Sequence, residues 1–324
     1  MIHKLKILRG ESTDPHYNLA VEQVLLESVE EGECILYLWR NANTVVIGRN
    51  QNAWKECRGT LLYDEGGILA RRLSGGGAVF HDLGNLNFTF LLRQADYDLG
   101  RQLSVIEGAV RSLGVDAMRS GRNDILADGR KFSGNAFYKN GVQAYHHGTL
   151  LVDVDMDKLS RYLSPSKAKL AAKGVDSARS RVVNLRELVP GLTVAMLADA
   201  LERSFAACYG AEPEQITEAE LDPAAVEALR QRNASWDWLW GRKMPFDWTG
   251  EERFSWGGLE ISFRVEGGIV RQTQVQTDAM DWSIAPRLRE AFQDCRFDRD
   301  SLIFRLRGLP WEEDLADWLN RMEI

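Results

Sequence analysis

Two arginines, Arg71 and Arg72, stand just ahead of three consecutive glycines, Gly75, Gly76 and Gly77, in the run RRLSGGGAVFHD. Residues without Cβ let a ligand lie against the main chain, with backbone N–H groups turned toward anionic oxygens. Guanidinium forks suit phosphate or carboxylate oxygens. A phosphate loop would end in Gly-Lys-Ser/Thr and open a helix, and a dinucleotide fingerprint would read GxGxxG before a helix. Here the glycines lead instead into Ala78, Val79, Phe80 and His81, a β-rich run, so neither pattern is met. Taken alone, such a ribbon is also a common structural hairpin. His81 and Asp82 read as a structural pair, with the imidazole hydrogen-bonded to nearby backbone.

A second chemically loaded stretch is GRNDILADGRKFSGNAFYKNGVQAYHHGTLLVDV, residues 121–154. Asp128-Gly129 and Asn140-Gly141 each suit a two-residue type I′ loop. Two such turns place Lys131 opposite Leu126 and Leu150, Ser133 opposite Asp124 and Gly148, and Asn135 opposite His146. Because side chains alternate across a strand, Asp124, Lys131, Ser133, Asn135 and His146 then share a polar face, and Ile125, Phe132, Ala136 and Tyr145 an apolar one. A bulge at Gly134 would exchange His146 for His147. Ser133, Gly134 and Gly148 have little bulk, which leaves open space beside the Lys131 ammonium and points to a ligand; a lysine that only protects a sheet edge is the bland alternative.

These groups need elements to hold them. Asp14 as N-cap and Pro15 at the first helical position open an amphipathic helix through Tyr17, Val21, Val24, Leu25 and Ser28. CILYLWR and TVVIG read as strands joined at NAN, and LNFTFLL puts Phe88, Phe90 and Leu92 on one face. LSVIEGAVRSLG and LTVAMLADALERSFAACYG read as helices ended by Gly114 and Gly210. Strands and helices are mixed without regular alternation, which predicts an α+β fold around a mixed sheet. Trp236, Trp238, Trp240, Trp248 and Trp256 are half of the 10 tryptophans and read as aromatic filling at a seam between domains. Beyond them, strands turning at Gly267-Gly268 and two short helices form a small C-terminal α+β unit.

At 324 residues the chain exceeds the usual size of one hydrophobic core, so a large domain over 1–245 and a small one over 250–324 are expected. Apolar residues at 44% and charged ones at 27% are ordinary for a globular enzyme. No apolar run is long enough to cross a bilayer and the N-terminus lacks signal-peptide features, so the expected address is the cytoplasm, with no membrane or nucleic-acid partner. Cys34, Cys57, Cys208 and Cys295 are scattered, which argues against a disulfide framework and a thiolate metal site. Net charge is −7, yet residues 161–186 carry Arg161, Lys167, Lys169, Lys173, Arg179, Arg181 and Arg186 against Asp176 alone. A basic segment in an acidic protein fits an anionic ligand or acidic partner, or else a solvated face.

Taken together, RRLSGGGAVFHDLGNLNFTF, GRND, RKFSGNA, HHGTLL and KLAAKGVDSARSRVVNL resemble the lipoate-protein ligase A family, within the lipoate and biotin ligase superfamily. The resemblance implies a large mixed-sheet catalytic domain with a small C-terminal domain. It implies an adenylate-forming enzyme that converts lipoate and ATP to lipoyl-AMP and pyrophosphate and passes the acyl group to a lysine of a lipoyl domain. The acceptors it implies are acyltransferase subunits of 2-oxoacid dehydrogenases and the glycine-cleavage H protein, with the ligase itself a monomer. By motif, Arg72, Gly77, Ala78, Val79, Phe80 and Lys131 fall on ATP-binding positions. Lys131, Gly75, Gly76, His147, Gly148 and Thr149 fall at the lipoate, and Lys173, Ser177, Ala178, Arg179 and Arg181 on a loop over the adenylate.

The chemistry agrees with those roles. A cation between a carboxylate and a triphosphate offsets their repulsion and stabilises charge at the α-phosphate, which suits Lys131 as the catalytic group. Mg²⁺ would bridge the phosphates, with Asp124 as the nearby carboxylate. A transferase working through a cysteine thioester is the rival enzyme, and no cysteine occurs between Cys57 and Cys208 to serve it. The non-catalytic rival is a module that binds lipoyl carriers.

Overall fold

Strands covered on both faces read as continuous apolar runs, and ECILYLW and NLNFTFLLR form the middle of the largest sheet in a computed structural model of the chain. The structure describes every residue except 1, 50, 52, 121–123, 164–181, 242–245, 280 and 282. Along the chain the strands are β1 (Lys4–Arg9), β2 (Glu33–Trp39), β3 (Thr44–Ile47), β4 (Ile68–Arg71), β5 (Val79–His81), β6 (Asn85–Arg93) and β7 (Ala117–Ser120). There follow β8 (Asp124–Ala127), β9 (Arg130–Lys139), β10 (Gln143–Leu151), β11 (Glu214–Ile216), β12 (Phe246–Phe254), β13 (Gly257–Glu266) and β14 (Ile269–Thr277).

Among the described residues, eight strands make one mixed sheet in the order β11-β1-β2-β6-β10-β9-β8-β7, with parallel pairing at β11-β1-β2 and antiparallel pairing beyond. One face carries Phe88, Phe90 and Leu92 into a core with the helices Leu99–Ser112 and Val194–Tyr209. The other packs Tyr37, Trp39, Leu91 and Tyr145 against the helix Pro15–Ser28. Each helix starts as its sequence predicts: Asp14 accepts from the His16 and Tyr17 amides, and Gly210 closes the Val194 helix at φ 72°. A second sheet, β4-β3-β5, stands beside the first and carries the glycine ribbon between β4 and β5.

The C-terminal domain is the antiparallel sheet β12-β13-β14 covered by helices, with its own core around Phe263, Phe292, Phe297 and Trp318. Its Gly267-Gly268 turn has both φ values positive, at 60° and 78°, as a type I′ loop requires. Three helices follow, Ile284–Phe292, Arg299–Arg305 and Glu312–Arg321, where the sequence pattern predicted two; Gln293–Asp298, with Asp298 capping the second helix, separates segments that periodicity alone runs together.

β2 and β3 are successive strands joined at Asn41-Ala42-Asn43, as expected, and the joint carries the chain from one sheet to the other. One further expectation is corrected. The β9–β10 loop is centred on Gly141-Val142, not Asn140-Gly141, since the Asn140 amide donates to the Gln143 carbonyl at 3.1 Å. Asn140 Oδ1 accepts from the amides of Val142 and Gln143, which fixes Asn140 as the residue before the turn and puts the positive φ, 96°, on the first central residue. The aromatic seam is also narrower than predicted. Trp240 meets Trp54 and stacks on Trp236 at the domain seam, Trp238 Nε1 donates to the Arg71 carbonyl within the large domain, and Trp248 and Trp256 pack with the C-terminal core.

Candidate active site

Lys131 is placed by a bulge that the hairpin count missed. Leu126 pairs with Lys131 as predicted, but Ile125 then pairs with Ser133, and Asp124 with Gly134, so Phe132 is the extra residue. A buried phenylalanine explains the choice: Phe132 turns into the core with Ile125 and Leu150, and the strand gains one residue there. Everything beyond the bulge changes face relative to Lys131. Asp124 and Lys131 therefore share a face with Gly134, Ala136, Tyr145, His147 and Thr149, while Ser133, Asn135 and His146 point toward the core with Phe132. The expected polar face and apolar face are thus recombined. His147 faces the site, and His146 is a buried structural group bonded to Asn135 at 2.7 Å and Gln102 at 3.2 Å.

On that face lies a cleft of about 170 Å³ lined by Leu19, Trp39 and Val46, by the ribbon Gly76 to Val79, and by Lys131, His147, Gly148 and Thr149. Lys131 Nζ sits 2.7 Å from Asp124 Oδ1, with both side chains about a third exposed, at 34% and 37%. Open space beside the cation has a visible cause: a Cβ on Gly134 would meet Lys131 Nζ at 2.9 Å. Gly148 borders the cleft through its backbone, since a Cβ there would strike Phe88 and the Gly134 carbonyl on the core side. Of the other predicted residues, Arg72, His147 and Thr149 line the cleft, Gly75 does not, and the Phe80 ring is buried against Tyr162. Lys173, Ser177, Ala178, Arg179 and Arg181 lie outside the described residues. The chain is described again from Val182, whose backbone bridges to Lys131, and the Val183 amide donates to the Lys131 carbonyl at 2.9 Å.

Both arginines ahead of the glycines are turned onto the protein. Arg72 donates to the carbonyls of Val46, Gly75 and Gly77 at 2.7–3.2 Å, and Arg71 to those of Gly48, Arg49, Gln51, Trp238 and Leu239. Their forks shape the ribbon that would cradle an anion. Burial pushes the Arg72 guanidinium down to about 10, opposed in part by Tyr145 and Glu22. Gly76 has φ 92°, and a Cβ on Gly48 would fall 2.4 Å from its carbonyl oxygen, so bare backbone is needed on both sides of the ribbon.

The buried wall behind the cleft is a chain of hydrogen bonds that sequence reasoning missed. Trp39 Nε1 donates to Thr89 Oγ1 (3.1 Å), Thr89 Oγ1 to Glu22 Oε1 (2.7 Å), and His147 Nδ1 lies 2.8 Å from the same oxygen. His147 Nε2 lies 2.7 Å from Ser74 Oγ, which accepts from Arg72 Nε at 3.0 Å. With the His147 proton on Nδ1, each of these hydrogens has an acceptor. The Ser-His-Glu spacing resembles an acyl-transfer triad, but Ser74 Oγ does not line the cleft, so the chain positions the wall and ribbon rather than attacking a substrate. A buried acid on the Pro15–Ser28 helix, Glu22, was the one available signal. Trp39, Asn87 and His81, all cleft-lining, were also missed as site residues.

No cysteine lines the cleft, and burial pushes the Cys34 and Cys57 thiols up to about 12, away from thiolate chemistry. A larger cavity of about 460 Å³ lies at the domain seam among Trp54, Trp236 and Trp240. Arg299 there is paired with Asp64, and Arg296 lies over the Trp236 ring, so the smaller cleft, which holds Lys131 and the ribbon, is the better chemical site. Among the described residues, no helix is long and apolar enough to cross a membrane.

A large mixed sheet joined to a smaller C-terminal domain matches the fold of lipoate-protein ligases. The chain belongs to the lipoyl protein ligase A/B family: the catalytic domain of that family matches residues 14–206, and the bacterial lipoate protein ligase C-terminus matches 243–319. Among solved structures it is similar to LipL1 of P. falciparum in complex with lipoate, at 26% identity and TM-score 0.64 over 98% of this chain and 100% of that one. The bipartite lipoate protein ligase of Thermoplasma acidophilum, solved with its E2 lipoyl domain, is 28% identical with TM-score 0.63 over 74% of this chain and 96% of that one. A lipoate-protein ligase A bound with ATP is 28% identical with TM-score 0.60, covering 72% and 94%.

Proposed function

We propose that this protein is an ATP-dependent lipoate-protein ligase that joins lipoate to AMP, releasing pyrophosphate, and then transfers the lipoyl group to a lysine of lipoyl domains. The observation that carries this reading is Lys131: its ammonium lies in one cleft with the glycine ribbon and with the apolar side chains of Leu19, Trp39 and Val46. The cleft has room for an acyl tail, and the ribbon offers backbone N–H groups to a triphosphate. Lys131 holds the two anions together, and Asp124 holds the ammonium. Arg72 acts through the shape of the ribbon around Gly75 and Gly77. Similarity to relatives holding lipoate, ATP and a lipoyl domain supports the same three ligands here.

Among the described residues no group of three or more His, Cys, Asp or Glu side chains could hold a metal ion; Asp124 would offer Mg²⁺ a single carboxylate contact, the rest of its oxygen ligands coming from bound nucleotide and water. When bound it would neutralise phosphate charge. Residues 1–245 form the catalytic domain in this reading and 250–324 an accessory domain. The segment with Lys173, Ser177, Ala178, Arg179 and Arg181 closes over the adenylate, an assignment that rests on the sequence motif. Acceptors are the acyltransferase subunits of 2-oxoacid dehydrogenases and the glycine-cleavage H protein, met in the cytoplasm by a monomer. Pyrophosphate–ATP exchange that depends on lipoate, followed by a lipoyl mass shift on an added lipoyl domain, tests the reading. A protein that binds the domain but catalyses neither step is a carrier-binding module instead.

A further inference from the structure

Two buried donors in the cleft have no acceptor among the described residues. His81 is 4% exposed, and its Nδ1 lies 3.2 Å from Asn41 Nδ2. The Asn41 amide is oriented by Asn18 Nδ2, which donates to Asn41 Oδ1 at 3.0 Å, so Asn41 Nδ2 must donate to the imidazole. Nδ1 is therefore an acceptor and the ring proton sits on Nε2, which has no partner among the described residues. Burial, with the nearby Arg72 and His147 acting in the same direction, pushes His81 down to about 3, so the ring is neutral at working pH. Asn87 carries a second orphaned group. Its Oδ1 accepts from Asn85 Nδ2 at 2.8 Å, and its own Nδ2 has no partner among the described residues.

Both residues line the cleft that holds Lys131. Trp39, Asn87 and Thr149 are paired across β2, β6 and β10, and Thr149 pairs with Gly134 on β9, next to the Lys131 ammonium. His147 lies two residues away along β10 and also lines the cleft. Buried N–H groups are rarely left unsatisfied in a native fold, and a reaction centre is one of the few places where they are. Neutral, preorganised donors suit an oxygen on which charge develops during reaction.

We propose that the His81 Nε2–H and Asn87 Nδ2–H groups receive the acyl carbonyl oxygen while the acceptor lysine attacks. This deepens the ligase reading and rests on it. In the step, the acceptor ammonium first gives a proton to water. Its nitrogen bonds to the carbonyl carbon and the carbonyl π pair moves onto oxygen, between the two donors. That pair then returns as the bond from carbon to the phosphate oxygen breaks. AMP leaves, and the amide nitrogen loses its second proton to water.

The test uses the full chain, preformed lipoyl-AMP and a lipoyl domain in single-turnover transfer, beside lipoate-dependent pyrophosphate exchange and lipoyl-AMP affinity from tryptophan quenching. His81→Phe and Asn87→Leu are each expected to slow transfer by about 100-fold, the usual effect of losing one such donor, with lipoyl-AMP affinity unchanged. His81→Gln keeps an N–H and is expected to recover most of the rate, with the wild-type pH profile. Full-rate transfer in both donor-less variants, or a loss confined to affinity, overturns the proposal. Wild-type protein that neither exchanges nor transfers overturns the ligase reading and the donor pair together; wild-type protein that transfers from lipoyl-AMP without exchanging overturns only the adenylation half.

Discussion

Ser74→Ala probes the hidden wall of the site with a single oxygen. Ser74 is 1% exposed, and its Oγ sits between Arg72 Nε at 3.0 Å and His147 Nε2 at 2.7 Å. After the change Arg72 Nε still reaches the Gly75 carbonyl at 3.2 Å, so the guanidinium stays satisfied. His147 Nε2 loses the partner it has among the described residues, and a hole left by one hydroxyl is too small to admit water. Leaving one buried polar atom unsatisfied costs about 1–3 kcal/mol. Urea denaturation followed by tryptophan fluorescence should show that loss as a lower midpoint at unchanged slope. A midpoint within error of wild type would refute the reasoning, because it would mean that the chain from Trp39 to Arg72 is not held together by its hydrogen bonds.

Other outcomes follow from the same geometry. Gly148→Ala puts a Cβ 2.6 Å from the Gly134 carbonyl oxygen and 2.7 Å from the Phe88 ring, so overpacking should cost about 1–3 kcal/mol in the same denaturation assay. Stability should also fall with acid. His81 and His146 are both pushed down from 6.5 to about 3, chiefly by burial, so the unfolded chain binds protons that the folded one refuses. Their contribution is complete above pH 6.5 and is lost as pH falls toward 3, by roughly 2 kcal/mol for each histidine at pH 5. Unfolding free energies at pH 7 and pH 5 check this, and His146→Gln should flatten the slope.

Local signals in the sequence reached the elements, and reached Lys131. Asp14, Pro15 and Gly210 act within one turn of the helices they bound, and the two glycines at 267–268 fix their turn by φ alone. Lys131 was legible because Asp128-Gly129 sets its pairing only two residues away. The next residue already escaped, since the bulge at Phe132 is decided by how much ring the core can take. Glu22, Ser74, Thr89 and His147 come from a helix, a loop and two strands, and only long-range pairing brings them into one chain. The role of Arg72 was visible as chemistry but not as geometry: a guanidinium suits a phosphate and a ring of carbonyls equally, and the folded ribbon supplies the carbonyls.

The most direct measurement is lipoate-dependent pyrophosphate–ATP exchange by wild-type protein and by Lys131→Ala, with folding checked by thermal unfolding. If the ammonium bridges the acid and the α-phosphate, exchange should fall by about 100- to 1,000-fold, a loss of roughly 2.7–4 kcal/mol of transition-state stabilisation. Stability should barely move, because the Asp124 pair is a third exposed and such pairs contribute about 0–1 kcal/mol. Exchange at near wild-type rate in a folded Lys131→Ala protein would contradict the account.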